Sequence, residues 1–371
     1  MHLKRLSLSH YRNYTSLALT CDHQTNVFIG TNGQGKTNLL EAVYYLCVAR
    51  SCREAQDREL VRMGADHFLI QGQGQSAEGR EVEVQIRYGR HTGKKVFVNE
   101  SPQRNLSDLY GIMAAVVISP DDRRLVQGSP NSRRRFLDIA ISQSNAAYLA
   151  TLQDYRRVVR QRNEALRAHQ HRESPEMAPD LEVWNAPLVA LGSRIMRKRA
   201  DVVAALKEEA RRVHAEISGD DEVLELDYAP SFECEDPGDI EESFQEALDR
   251  SGPRERARGV TEVGPHRDDL AIRMNGVSLQ AYGSQGQHKT AATALKLAEA
   301  RFLWHQLQVP PLLLLDDIFA EIDAARTGRL MEMVPTYGQT FITTAKESDI
   351  GDYRQGITRF RVHDGAVTPW D

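Results

Sequence analysis

The residues best able to do chemistry form one short run, Gly30-Thr31-Asn32-Gly33-Gln34-Gly35-Lys36-Thr37, which satisfies the pattern G-x-x-x-x-G-K-[ST]. Such a run suits a phosphate chain. Its glycines let the backbone curl so that successive N–H groups point inward, Lys36 brings a positive charge to the β and γ phosphates, and Thr37 offers a hydroxyl to Mg²⁺. Asn38 follows directly and completes the expected nucleotide-contacting set. A second run, Leu312-Leu313-Leu314-Leu315-Asp316-Asp317, ends an apolar stretch in two acids. Asp316 is the expected metal ligand. Asp317 is expected to orient or deprotonate the attacking water, and so to act with Lys36 as a catalytic residue.

Both runs need scaffolding that places them side by side. Val27-Phe28-Ile29 reads as a strand running into Gly30, and Leu39, Leu40, Val43, Leu46 and Cys47 keep the spacing of one helix face beyond it. The order strand, glycine-rich loop, helix is the one the motif requires. The unbroken leucines before Asp316 predict a strand buried on both faces, as in a parallel sheet. Around these, Leu3, Leu6, Leu8, Leu17 and Leu19 predict strands at the start of the chain. Val82, Val84, Ile86 and Tyr88 alternate with polar residues and predict a hairpin that turns at His91-Thr92-Gly93 into Val96-Phe97-Val98. From about 130 to 217 the pattern turns helical, with a stripe through Leu181, Leu188, Leu191, Ile195, Val202, Leu206 and Val213. The stretch from 219 to 259, with Pro230, Pro237, Gly238 and Pro253, predicts loops and a short helix. The expected architecture is an α/β body formed by 1–118 and 260–371, with a mainly helical arm at 119–259.

Composition restricts the function further. Among 371 residues, 41% are hydrophobic and 27% charged, near the averages for a globular chain. The longest strongly apolar run, Val309 to Leu315, falls far short of the ~20 residues that cross a bilayer. The four cysteines, Cys21, Cys47, Cys52 and Cys234, form no CxxC pair and no zinc spacing, so a reducing, cytoplasmic setting is expected. The net charge of -5 is unevenly spread: positions 120 to 215 carry 18 Lys or Arg against 12 acids, whereas 216 to 250 carry one Arg against 14 acids. A locally basic arm can hold phosphates even in an acidic chain.

A third motif lies 32 residues before Asp316, where Tyr282-Gly283-Ser284-Gln285-Gly286-Gln287 opens an apolar-periodic helix. It resembles the SxGQ signature of ABC-type ATPases, and Ala320-Glu321-Ile322-Asp323 resembles the loop that follows their acidic strand. The resemblance implies that Ser284, Gly286 and Gln287 contact the γ-phosphate held by an opposite subunit. Lys36 and Asp316 stand 280 residues apart, much farther than in transporter ATP-binding subunits, and no heptad array of SMC length lies between them. With Arg12-Asn13-Tyr14, Gly30 to Glu41, Ser119 to Asp122, Arg133 to Asp138 and Val263 to Leu270, the chain resembles the RecF family of bacterial recombination-repair ATPases along nearly its whole length. That resemblance implies an ABC-type P-loop ATPase head with an inserted helical arm, using ATP and Mg²⁺. It also implies an ATP-dependent homodimer that binds DNA at junctions of single and double strands and works with RecR and RecO to place RecA. The chain departs from the ABC pattern twice: no glutamine occurs from Val117 to Asp122, and Thr343-Thr344 stands where many ABC proteins carry a histidine.

Arg133, Arg134 and Arg135 are the first candidates for DNA phosphate contacts, followed by Arg123, Arg124, Arg156, Arg157, Arg160, Arg197, Lys198 and Arg199. Aromatic residues are only 7% of the chain and do not interleave with these arginines, so backbone contacts are expected rather than base stacking. Two other classes compare poorly. A transporter subunit is disfavoured by the 280-residue interval, and a small-molecule kinase or GTPase would have no use for the Ser284 element and shows no NKxD run.

Overall fold

A computed structural model describes residues 1–21, 23–170, 181–219, 222–234, 236–321, 324–350 and 357–370. Its strands are β1 (His2–Tyr11), β2 (Tyr14–Thr20), β3 (Thr25–Ile29), β4 (His67–Gln75), β5 (Glu81–Gly89), β6 (Gly93–Val98), β7 (Ser101–Pro102), β8 (Ala115–Ile118), β9 (Leu224–Ala229), β10 (Asp269–Met274), β11 (Val277–Ser278), β12 (Leu312–Asp316), β13 (Thr340–Thr344), β14 (Ile357–His363) and β15 (Ala366–Pro369). The helices are α1 (Lys36–Val48), α2 (Asp57–Leu60), α3 (Arg123–Gln127), α4 (Pro130–Ser144), α5 (Ala146–Gln170), α6 (Glu182–Ser218), α7 (Ile240–Arg258), α8 (Leu279–Tyr282), α9 (Gln285–Leu307) and α10 (Ala324–Met333).

The strands make three sheets. One is antiparallel in the order β2-β1-β4-β5-β6-β7, and its inward residues Leu3, Leu6, Leu8, Ile70, Val84 and Ile86 are buried. The central sheet runs β15-β14-β3-β13-β12-β8, parallel throughout except for β15. Strands β3, β12 and β13 are buried at every position, which is why they read as unbroken apolar or Thr-rich runs. Helix α1 lies between the two large sheets with almost every residue buried, so its hydrophobicity goes nearly all round.

Between 130 and 217 the described residues form α4, α5 and most of α6, with α6 packed along α5 and α9. The segment after it departs from expectation. Residues 224–229 form a strand, and residues 240–258 form one 19-residue helix rather than a short one, with Pro253 inside it. Strand β9 pairs antiparallel with β10, Leu226 opposite Ile272, so the small β11-β10-β9 sheet straddles the expected boundary at 259/260. Its hydrogen bonds cross from one span to the other, and no pattern within 219–230 alone could show them.

Candidate nucleotide site and the surfaces around it

The glycine-rich loop leaves β3 at Gly30, whose N–H donates to Thr344 O (3.2 Å) on β13. Thr31, Asn32 and Gly33 form the exposed crest. The loop is then braced from two sides. Asn13 Nδ2 donates to Gln34 O (3.0 Å), Tyr14 Oη donates to Gly35 O (3.0 Å), and Asn38 Nδ2 donates to Asn13 Oδ1 (2.8 Å). From the other side, the N–H groups of Asp364 and Gly365 in the β14–β15 turn donate to Gln34 Oε1 (2.6 Å) and Gln34 O (3.3 Å). Gly35 caps α1 at φ 109°, where a methyl group would stand 2.4 Å from Asn13 Nδ2; only glycine fits that turn.

The chemistry-bearing side chains converge behind this loop. Lys36 Nζ donates to Gly30 O and Thr31 O, which hold the ammonium across the loop's curl. Burial lowers the Lys36 pKa, opposed by the charges of Asp317 and Asp316. Thr37 Oγ1 donates to Asp316 Oδ1 at 3.0 Å although the two lie 279 residues apart, and Thr343 Oγ1 donates to the same oxygen at 2.7 Å. Burial raises the Asp316 pKa, and the hydroxyls of Thr343 and Thr37 pull it back down. A hydroxyl and a carboxylate meeting at the loop's exit are the hard-oxygen donors that suit Mg²⁺, which keeps phosphate oxygens and water as its other ligands. Next to them, Asp317 has φ 50°, and its N–H is held by Thr343 Oγ1 (3.0 Å) and Thr343 O (3.2 Å). Asp317 lines, with Thr37 and Asp316, a cavity of about 360 Å³. Lys296, Glu299 and Asp122 line the same cavity, with Lys296 paired to Glu299.

Arg12 does not project toward the loop's inner face. Its guanidinium grips Glu41 of α1 in a two-pronged pair, Nε to Oε2 at 2.8 Å and Nη2 to Oε1 at 2.9 Å. Glu41 is fully buried and also accepts from Ser51 Oγ. Asn13, Tyr14 and Glu41 thus matter to the site as supports. Arg12, Asn13 and Tyr14 are neighbours in the sequence, whereas the partners they meet in the loop and on α1 required the fold.

Ser284 caps α9. Its Oγ accepts from Gln287 N (3.2 Å), Gln287 Oε1 accepts from Ser284 N (2.8 Å), and Gln287 Nε2 donates to Glu222 (2.8 Å). Because Ser284 Oγ is an acceptor in this box, its own proton stays free to be donated outward. Ser284 is exposed, and none of 284–287 is among the described residues lining the cavity at Thr37 and Asp316. Of the Ala320–Asp323 run, Ile322 and Asp323 lie outside the described residues. Gln127 is not among the described residues lining that cavity; its amide sits against His288 Nδ1 (2.6 Å).

The basic residues divide by burial, and here the expectation from sequence needs correction. Arg133 is 3% exposed: it pairs with Asp269 through Nε–Oδ1 (2.7 Å) and Nη2–Oδ2 (2.9 Å) and donates to Gly128 O (2.9 Å). Arg199 is equally buried, bound to Asp138 and Pro265 O. Both guanidiniums are consumed inside the fold, so neither is available to a DNA phosphate. Arg134 is half-buried and donates to Asp268 O (2.7 Å), and Arg135 is half-buried beside Glu54 (3.1 Å). Arg123, Arg124, Arg156, Arg157 and Arg160 are exposed, while Arg197 and Lys198 are intermediate. Among the described residues no helix is long and apolar enough to cross a membrane.

A family profile described as "RecF/RecN/SMC N terminal domain" matches residues 2–368. The chain is 37% identical over 371 residues to a protein of Geobacillus thermodenitrificans named "DNA replication and repair protein RecF", covering 99% of both chains. It is 38% identical to the protein of that name from Bacillus subtilis, covering 99% of this chain and 100% of that one. Among solved structures, one described as "the recombination mediator protein RecF-ATP in RecFOR pathway" superposes with a TM-score of 0.91 at 30% identity, covering 100% of this chain and 98% of the other. An Smc head from Pyrococcus furiosus gives 0.57 at 16% identity, covering 100% and 96%, and shares the fold alone. The profile match and the full-length identities above 30% agree with the loop, acidic strand and capped signature helix: the chain belongs to the RecF family of ABC-type P-loop ATPases.

Proposed function

We propose that this chain is an ATP-dependent DNA-binding protein of recombinational repair and replication restart, acting in the cytoplasm. The observation that carries the reading is the 3.0 Å bond from Thr37 to Asp316, which joins the end of the phosphate loop to the acidic strand. Gly30 to Asn38 would take the triphosphate, with Lys36 at the β and γ phosphates and Thr37 and Asp316 holding Mg²⁺. The bound metal ion would neutralise charge on the β and γ oxygens. Asp317, which lines the same cavity, would hold the attacking water and accept its proton.

The exposed Ser284 faces solvent with a free hydroxyl proton, as a residue serving a second copy's nucleotide would. ATP would therefore close two chains head to head, with Ser284, Gly286 and Gln287 of each completing the other's site, and hydrolysis would release them. DNA would lie along the arm's exposed arginines, with Arg134 and Arg135 at its margin and Arg133 beneath it as a structural brace. The relatives' pathway extends this to junctions of single and double strands and to RecR, RecO and RecA as partners. A DNA titration with and without ATP tests the reading, using wild type and Lys36→Met. Tight binding should need ATP and Lys36, and log affinity should fall with log salt at about -0.9 per duplex phosphate neutralised. Equal affinity with and without ATP would overturn it.

A further inference from the structure

A second cavity, of about 180 Å³, opens where α4, α5 and α6 meet the turn at Pro265-His266, sharing Arg135 with the metal-side cavity. Helical spacing builds it: Asn131, Arg134, Arg135 and Asp138 fall on one face of α4, and Leu152, Tyr155, Arg156 and Val159 on one face of α5. Its carboxylate and imidazole acceptors are already spent. Asp138 is the only carboxylate among the described lining residues. Its Oδ1 accepts from Arg199 Nη2 (2.7 Å), Arg199 Nε (3.2 Å) and Tyr148 Oη (2.7 Å), and its Oδ2 accepts from Arg156 Nη2 (3.0 Å). His266 Nε2 donates to Thr261 O (3.1 Å) and Nδ1 lies 2.7 Å from Tyr155 Oη; burial lowers the ring's pKa to about 4, so near neutral pH the ring is uncharged and Nδ1 accepts.

The donors are in excess. Among the described residues Arg134 has only the Asp268 carbonyl, and the nearby carboxylates are engaged elsewhere, Asp268 with Tyr228 and Ser231 and Asp269 with Arg133. Four guanidiniums line the cavity; Arg135 pairs with Glu54 outside it (3.1 Å), which leaves those of Arg134, Arg156 and Arg199 against one carboxylate. We propose that this cavity binds a phosphoryl group, with Arg134 and Arg156 as its two ligating guanidiniums and Asn131 as a further donor. A phosphate dianion matches the excess of two charges with tetrahedrally spread oxygens, whereas a planar carboxylate side chain would neutralise half of it. At about 30 Å³ per water the cavity has room for that group and a few waters. The site does not depend on the ATP-closed dimer.

The phosphoryl group is either free phosphate or the terminal phosphate of a nucleic acid, and one experiment separates them. Equilibrium dialysis of radiolabelled inorganic phosphate is run on the full chain with its loop saturated by ADP and Mg²⁺, at constant ionic strength. One phosphate should bind per chain, and it should survive Lys36→Met. Arg134→Gln with Arg156→Gln should weaken it at least 10-fold. Arg156→Gln alone should weaken it severalfold; that side chain is 49% exposed and leaves the Arg199–Asp138 pair intact, so the variant remains informative if the double one is unstable. Displacement by a 5′-phosphorylated duplex, but not by its unphosphorylated twin, supports the site with nucleic acid as the source. No displacement by either supports it with a free anion. Absence of a phosphate beyond the loop's own, or unchanged affinity in Arg156→Gln and in the double variant, would overturn the proposal.

Discussion

Arg133→Met is expected to weaken the fold and leave DNA binding alone. Methionine keeps most of the apolar stem, so the loss is confined to the guanidinium. What disappears is the two-pronged pair with Asp269, a long bond to Leu125 O (3.4 Å) and the donation to Gly128 O, a carbonyl that keeps a second donor in Gln280 Nε2 at 3.1 Å. Breaking a fully buried pair costs about 3–5 kcal/mol through the stranded partner. Asp269 is 31% exposed and still accepts from Leu270 N at 2.8 Å, so water recovers part of its charge. The net loss should be about 2–3 kcal/mol, read as a lower urea midpoint with unchanged slope. DNA affinity and salt dependence of the folded variant should match wild type. An unchanged midpoint together with weakened DNA binding would refute the reasoning and return Arg133 to the DNA surface.

Other expectations concern the turn at His266 and the water-facing carboxylate. Burial lowers the His266 pKa to about 4, with the hydrogen bond to Thr261 O acting the other way. A base depressed in the folded state stabilises it above the unfolded pKa of ~6.5, and that stability is lost as pH falls toward 4. Denaturation at pH 7 and pH 5 should differ by about 2 kcal/mol from this group, and His266→Gln should flatten the difference. Stability that is flat over this range in wild type would remove the assignment. Asp317→Asn should bind ATP as wild type does and turn it over about 10²- to 10⁴-fold more slowly in a single-turnover assay. Hydrolysis at the wild-type rate would take Asp317 out of its role.

The phosphate loop, the acidic strand and the capped helix were legible because each is local. Gly30 to Thr37 lie within eight consecutive positions, Leu312 to Asp316 declare a buried strand by hydrophobicity alone, and Ser284 with Gln287 is a capping pattern spaced three apart. What could not be read is contact between distant segments. Arg133 sits in a run of three arginines with identical sequence signals, and only the fold shows that it turns toward Asp269, 136 residues away, while its neighbours reach the surface. Strand β9 was missed because the stretch around it is acidic and proline-marked, and its pairing with β10 supplies what local propensity lacks. The burial of Glu41 likewise depends on Arg12 and Ser51, partners that only the fold brings to it.

The central claim is that Ser284 serves a second chain's nucleotide. Sedimentation of wild type and Ser284→Arg with ATP and Mg²⁺, using an Asp317→Asn background to hold the nucleotide, tests it most directly. Because Ser284 is exposed and takes no part in the Lys36, Thr37 and Asp316 cluster, the arginine should leave nucleotide affinity intact and hold the protein as a monomer while the parent dimerises. An ATP-induced dimer of undiminished strength in Ser284→Arg would contradict the account.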